Sequence, residues 1–222
     1  MYLALEPFVR RRWPHALIAW NRILGGQFKD PLAGRDILVG VFFAALLAAF
    51  RTSLVLMQLK PPTPPEPALI DAIQSTPRAV AFLLQTLFNS VNISLALFFL
   101  ISFFRAALRK QWLATGAFVI LVNVLSNFAL SHSLPTISGL AVSSAFAALW
   151  LVGVMQYGLP AGISIWFADR IFIAGIMLAP QGWYAGRMYL LLGVLAGVAI
   201  YAFRTSVGKQ SLFSFDLMSG KD

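Results

Sequence analysis

The sequence predicts an all-α integral membrane protein with about six transmembrane helices, or five in an alternative reading, preceded by an N-terminal amphipathic helix lying at the membrane interface. Three observations predict it. Long apolar runs recur along 222 residues, at 37–50, 79–104, 112–130, 137–155, 161–178 and 189–203. Several of them reach or approach the roughly 20 residues at which a helix spans a bilayer core. Hydrophobic residues make up 59% of the chain and charged residues only 11%, with a mean hydropathy of +0.78. A soluble domain carries about 25% charged residues. The short polar connections leave no room for a second globular unit.

Residues 1–36 read as a cytoplasmic, membrane-surface segment. Arg10, Arg11 and Arg12 resemble the charged start of a signal peptide, but the apolar run after them is interrupted by Asn21 and Arg22, and no small-residue cleavage site follows. Pro14 suits a first helical turn. Ala16, Leu17, Trp20, Ile23 and Leu24 then recur at helical spacing, and Gly25-Gly26 ends the pattern. Such a helix lies in the head-group plane with Arg22 and Lys29 toward phosphate; packing on the protein itself is the competing placement.

The first span is expected over 36–56, with Arg51 snorkelling near its far end. Lys60-Pro61-Pro62-Thr63-Pro64-Pro65 is too rich in proline for helix or sheet and reads as a stiff outer loop. Residues 67–75 can form a short surface helix. The second span lies within 79–104 and ends in Arg105, Arg109 and Lys110. The third covers 112–130. An uncharged loop, Ser131-His132-Ser133-Leu134-Pro135, leads to a fourth at 137–156. Tyr157-Gly158-Leu159-Pro160 signals a tight turn. The fifth covers 161–178 and the sixth 188–203, with a polar tail from 205 to 222. This divides the chain into a surface segment (1–36), a membrane domain (37–204) and a cytoplasmic tail (205–222).

Six spans put both termini on one side. That side then holds twelve cations: Arg10, Arg11, Arg12, Arg22, Lys29, Arg35, Arg105, Arg109, Lys110, Arg204, Lys209 and Lys221. The other holds Arg51, Lys60, Arg78 and Arg187, with Arg170 in or near the fifth span. The positive-inside rule therefore places both termini in the cytoplasm, and the expected location is a bacterial inner membrane. The weak element is the fifth span, where Asp169 and Arg170 each cost about 2.5–3.5 kcal/mol at the bilayer centre. In the five-span alternative, part of 137–166 is one tilted helix with a re-entrant turn, and Asp169 sits at an interface.

Charge and composition exclude several functions. The net charge of +9 arises from 17 Lys and Arg against 8 Asp and Glu. Most of the cations flank apolar spans, so Arg10, Arg11, Arg12, Arg22, Arg105, Arg109 and Lys110 are assigned to lipid head groups. No basic face with interleaved aromatics lies outside the spans, so nucleic acid is not a partner. With no cysteine, thiol catalysis and Cys-ligated metals are excluded. His15 and His132 fall on opposite sides, and no metal or other cofactor is expected. No phosphate loop, HExxH or GxSxG pattern occurs, so the chain is read as non-enzymatic.

Polar residues inside the spans are the candidates that remain. Asp169 and Arg170 are neighbours about 100° apart on a helix, so each faces a different group. Asn89 and Asn92 share one helical face, as do Asn123 and Asn127. They form either helix-to-helix fastenings or a polar path. An echo, Ala49-Phe50-Arg51-Thr52-Ser53-Leu54 against Ala202-Phe203-Arg204-Thr205-Ser206-Val207, is read as shared end chemistry rather than an inverted repeat.

Two N-terminal blocks, Leu5-Glu6-Pro7-Phe8-Val9-Arg10-Arg11-Arg12-Trp13-Pro14 and Asp30-Pro31-Leu32-Ala33-Gly34-Arg35-Asp36-Ile37-Leu38-Val39-Gly40, suggest a family. So do Leu108-Arg109-Lys110-Gln111-Trp112-Leu113-Ala114, Trp183-Tyr184-Ala185-Gly186 and Thr205-Ser206-Val207-Gly208-Lys209-Gln210-Ser211-Leu212-Phe213. Together they resemble the C-terminal multi-span region of bacterial, chiefly acidobacterial, serine/threonine protein kinases. The resemblance covers nearly the whole chain. The kinase domain of those proteins has no counterpart here, so no catalytic residue is carried over. What the resemblance implies is a membrane module that anchors or regulates a cytoplasmic kinase or other signalling partner. A small transporter or channel subunit built around Asp169 is the alternative.

Overall fold

Among the described residues of the computed structural model, four helices are long and apolar enough to cross a membrane: Pro31–Leu56, Thr76–Leu108, Ile137–Tyr157 and Ala185–Val207. The structure describes residues 14–27, 29–57, 59, 67–108, 110–129, 136–177, 182 and 185–207; they are helices joined by short turns, with no strand among them. In chain order the helices are α1 (Pro14–Leu24), α2 (Pro31–Leu56), α3 (Pro67–Gln74), α4 (Thr76–Leu108), α5 (Gln111–Val124), α6 (Ile137–Tyr157), α7 (Leu159–Met177) and α8 (Ala185–Val207). A π-helical turn, Leu125–Ala129, continues α5. The long proline loop, the 131–135 loop, Arg10, Arg11, Arg12, Arg109 and the tail from 208 lie outside the described residues.

Local chemistry sets the boundaries. Gly26, at φ 81°, stops α1. Asp30 accepts the Leu32 amide at 3.1 Å and Pro31 fills the first position, so α2 starts ahead of the expected span, at Pro31 rather than Asp36. Thr136 caps α6 by accepting the Gly139 amide at 3.0 Å. Gly158, at φ 94°, turns the chain between α6 and α7 in one residue. Residues 137–166 therefore fall on two helices that meet at this turn.

The core follows from α7, which is buried at nearly every position from Leu159 to Ile171. Four glycines let helices meet closely. A Cβ on Gly40 of α2 would fall 2.6 Å from the Ala161 carbonyl of α7. One on Gly34 would fall 2.8 Å from the Ala202 carbonyl of α8. Gly153 of α6 faces Ile165, and Gly162 of α7 faces Val154 and Trp150. Small residues at close crossings are the membrane solution to packing without a hydrophobic drive between helices.

These contacts fix direction. Gly40 meets Ala161 and Ser164 while Arg51 meets Asp169, so α2 and α7 run the same way. Helix α6 folds back on α7, with Phe146 edge-on to Trp166 at 5.1 Å and Gly153 against Ile165. It is likewise antiparallel to α5: Phe118 stacks on Trp150 at 5.6 Å, and Asn127 reaches Ser143. One end of the bundle thus gathers the starts of α2, α5 and α7 and the ends of α4, α6 and α8. Helix α1 packs across α6 and α7. The 49–54 and 202–207 echo falls at opposite ends of the bundle, on the antiparallel α2 and α8, with Arg51 partly buried and Arg204 exposed.

Candidate functional site: a buried ion pair between α2 and α7

Arg51 and Asp169 form a two-pronged ion pair inside the bundle. Nη1 donates to Oδ1 at 3.0 Å and Nη2 to Oδ2 at 3.4 Å. Their side chains are 12% and 9% exposed. Arg51 is therefore turned into the protein and does not snorkel to the head groups. Helix geometry explains the meeting. From Gly40 to Arg51 is about 16 Å of helix, and from Ser164 to Asp169 about 8 Å. A helical side chain leans toward its own N-terminus, so the long arginine reaches back over the difference.

Two lone charges would each oppose insertion by about 2.5–3.5 kcal/mol. Joined, they cancel as net charge and satisfy each other's hydrogen bonds. The guanidinium binds both carboxylate oxygens of Asp169. Arg170, its neighbour, is half-buried on another face of α7.

A second polar cluster joins α5 to α6. Asn123 Oδ1 accepts from Ser143 at 2.6 Å and Ser144 at 3.3 Å. Asn127 Nδ2 donates to Ser143 Oγ and to the Asn123 carbonyl, both at 3.0 Å. The π turn begins within this cluster, where an amide side chain takes up a carbonyl of the altered ladder. Asn123 and Asn127 thus share a face, as their spacing predicts, and fasten two helices.

Asn89 and Asn92 are placed differently. Both lie on the exposed side of α4, and Asn92 Nδ2 turns back to the Phe88 carbonyl at 2.8 Å. The inward side of α4 carries Thr86, Ser90, Ser94 and Ser102, small hydroxyl residues at helical spacing. Ser90 and Ser102 bond the carbonyl four residues back, at 2.6 and 2.7 Å.

The end of the bundle beside α1 is basic. Arg22 pairs with Asp30 at 2.8 Å, and the two border an open cleft with Gln27 and Lys29. Arg35 binds buried Asp36 at 3.1 Å and lies 5.5 Å over the Tyr157 ring. Lys110 is exposed and Arg105 half-buried at the same end. Among the described residues no three His, Cys, Asp or Glu side chains gather into a metal site.

Arg51 is the site residue that sequence reasoning missed. A signal existed: it is a cation within a span, and Asp169 is an anion within another. Comparison with family models, curated proteins and solved structures returns no match. Fold and composition define the class: an all-helical protein with long apolar helices fit for a membrane.

Proposed function

We propose that the chain is a six-crossing, non-enzymatic membrane module that anchors or regulates a cytoplasmic signalling partner of the serine/threonine kinase type. The observation that carries this reading is the asymmetry of the bundle's ends. Among the described residues, Arg22, Lys29, Arg35, Arg105, Lys110 and Arg204 collect at the end bearing α1, against Arg78 and Arg187 at the other, with Arg51 and Arg170 inside the bundle toward that other end. By the positive-inside rule the α1 end faces the cytoplasm. Two further features support six crossings. With its π turn, α5 continues from Gln111 to Ala129, and α7 adds 19 residues whose one acidic side chain, Asp169, is paired with Arg51. Helix α1, with Arg22 exposed, is suited to the interface beside the partner.

Single cysteines in this cysteine-free chain test the sidedness. Lys29→Cys and Lys110→Cys should react with an impermeant maleimide only in inside-out vesicles, and Arg78→Cys only in right-side-out vesicles. For the role, a kinase should co-purify with the tagged chain from native membranes and be lost on joint Arg22→Gln, Lys29→Gln and Arg35→Gln substitution. Absence of any cytoplasmic partner overturns the anchoring role.

The Arg51–Asp169 pair favours a second reading, a small transporter or channel subunit in which the pair opens to pass a proton or ion. Flux in proteoliposomes that disappears in Asp169→Asn supports it. Unchanged flux in that variant removes its basis.

A further inference from the structure

The lipid-facing side of α4 carries three carboxamides where hydrocarbon should be met by apolar groups. Gln85, Asn89 and Asn92 are all exposed, and Asn92 is the middle residue of the 33-residue helix. Gln85 and Asn89 have no hydrogen-bond partner among the described residues, and Asn92 bonds only its own helix. Lipid supplies no partner for such groups, so they demand a neighbouring helix. The stripe continues through exposed Ala96, Phe99 and Phe103. Its spacing alternates four and three residues, the repeat of a left-handed helix pair.

We propose that this stripe is a self-association surface on which α4 of one copy packs against α4 of a second. Two arguments select a second copy. A carboxamide is both donor and acceptor, so the patch is complementary to itself, as a two-fold interface requires. Both copies insert the same way round, so the two-fold axis is perpendicular to the membrane and each central residue meets its own equivalent. Asn92 faces Asn92, and small Ala96 lets the backbones approach. The longest of the chain's own segments outside the described residues, 208–222, contains Lys209, Asp216, Lys221 and Asp222 and is too charged to serve instead. The inference rests on α4 crossing the membrane.

The absence of cysteine makes the test direct. Ala96→Cys, reconstituted alone in phosphatidylcholine vesicles at low protein density, should oxidise to a species of twice the 24.3 kDa monomer. Ile120→Cys, 66% exposed on α5, should not. Adding Gln85→Leu, Asn89→Leu and Asn92→Leu to Ala96→Cys should lower the cross-linked yield at least tenfold. Equal yields at the two cysteines, or an undiminished yield in the leucine variant, overturn the proposal. So does a cross-link in native membranes only, to a partner of another mass. Impermeant maleimide separates the possible failures. Labelling of the Ala96→Cys variant removes the membrane crossing itself; protection of its thiol without any cross-link removes only the pairing of copies.

Discussion

Arg51 Nη1 stands 3.0 Å from Asp169 Oδ1, across the interface of two helices that point the same way. Removing one partner takes this two-pronged bond from the other charge inside the bundle, at a cost of about 3–5 kcal/mol. Arg51→Gln and Asp169→Asn should each lower the melting temperature in mild detergent, by comparable amounts. The exchange Arg51→Asp with Asp169→Arg should recover much of the loss. Full additivity of the two single effects in the double variant Arg51→Gln/Asp169→Asn would show that the pair contributes no coupling.

Gly40 predicts a steric outcome. A methyl group there meets the Ala161 carbonyl and Ser164 Cβ at 2.6 Å, and backbone cannot swing aside as a side-chain tip can. Gly40→Ala should cost about 1–3 kcal/mol. Gly193→Ala on α8, with open space around it, should be neutral or stabilising by up to about 1 kcal/mol through helix propensity. Thermal unfolding of both variants under one detergent condition checks the contrast.

The α5–α6 cluster should show coupling of about 0.6–2 kcal/mol between Asn123 and Ser143. A double-mutant cycle with Asn123→Leu and Ser143→Ala measures it. The value should fall toward zero for Asn123 with Ser102, which lies on α4 outside this network.

Trp150 is fully buried and stacked on Phe118, yet its indole nitrogen has no hydrogen-bond partner among the described residues. Trp150→Phe keeps the ring stack and forfeits no bond, so it should cost far less than Phe118→Ala, for which about 3–5 kcal/mol is expected. Stability measured by denaturant titration decides the order; a larger loss in Trp150→Phe would point to an unseen bond to the indole.

Helix positions were legible because apolar runs mark the helices and Gly26 and Gly158 mark stops chemically; the start of α2 at Pro31 was not read. The short helix over 67–74 and the Gly158 turn fall within a residue or two of expectation. The inward faces were not legible in the same way. In lipid both sides of a span are apolar, so the alternation that marks a soluble core is lost. On α4 the asparagines suggested an inner face, but the small hydroxyls Thr86, Ser90 and Ser94 occupy it. Asn123 and Asn127 follow the same spacing rule and do face a neighbour, because Ser143 and Ser144 stand opposite. The role of Arg51 was hidden for a different reason. Its partner is 118 residues away, and nothing local in either segment names the other.

That distance has a consequence for biosynthesis. At about 5–20 residues per second, a ribosome delivers Asp169 about 6–24 seconds after Arg51. Throughout that delay the nascent chain holds an uncompensated guanidinium at the translocation machinery. Helix α7 arrives late, and Asp169 finds its partner already made. Completion of the fold is thereby timed by the arrival of α7, and chains truncated before it should be degraded as orphans.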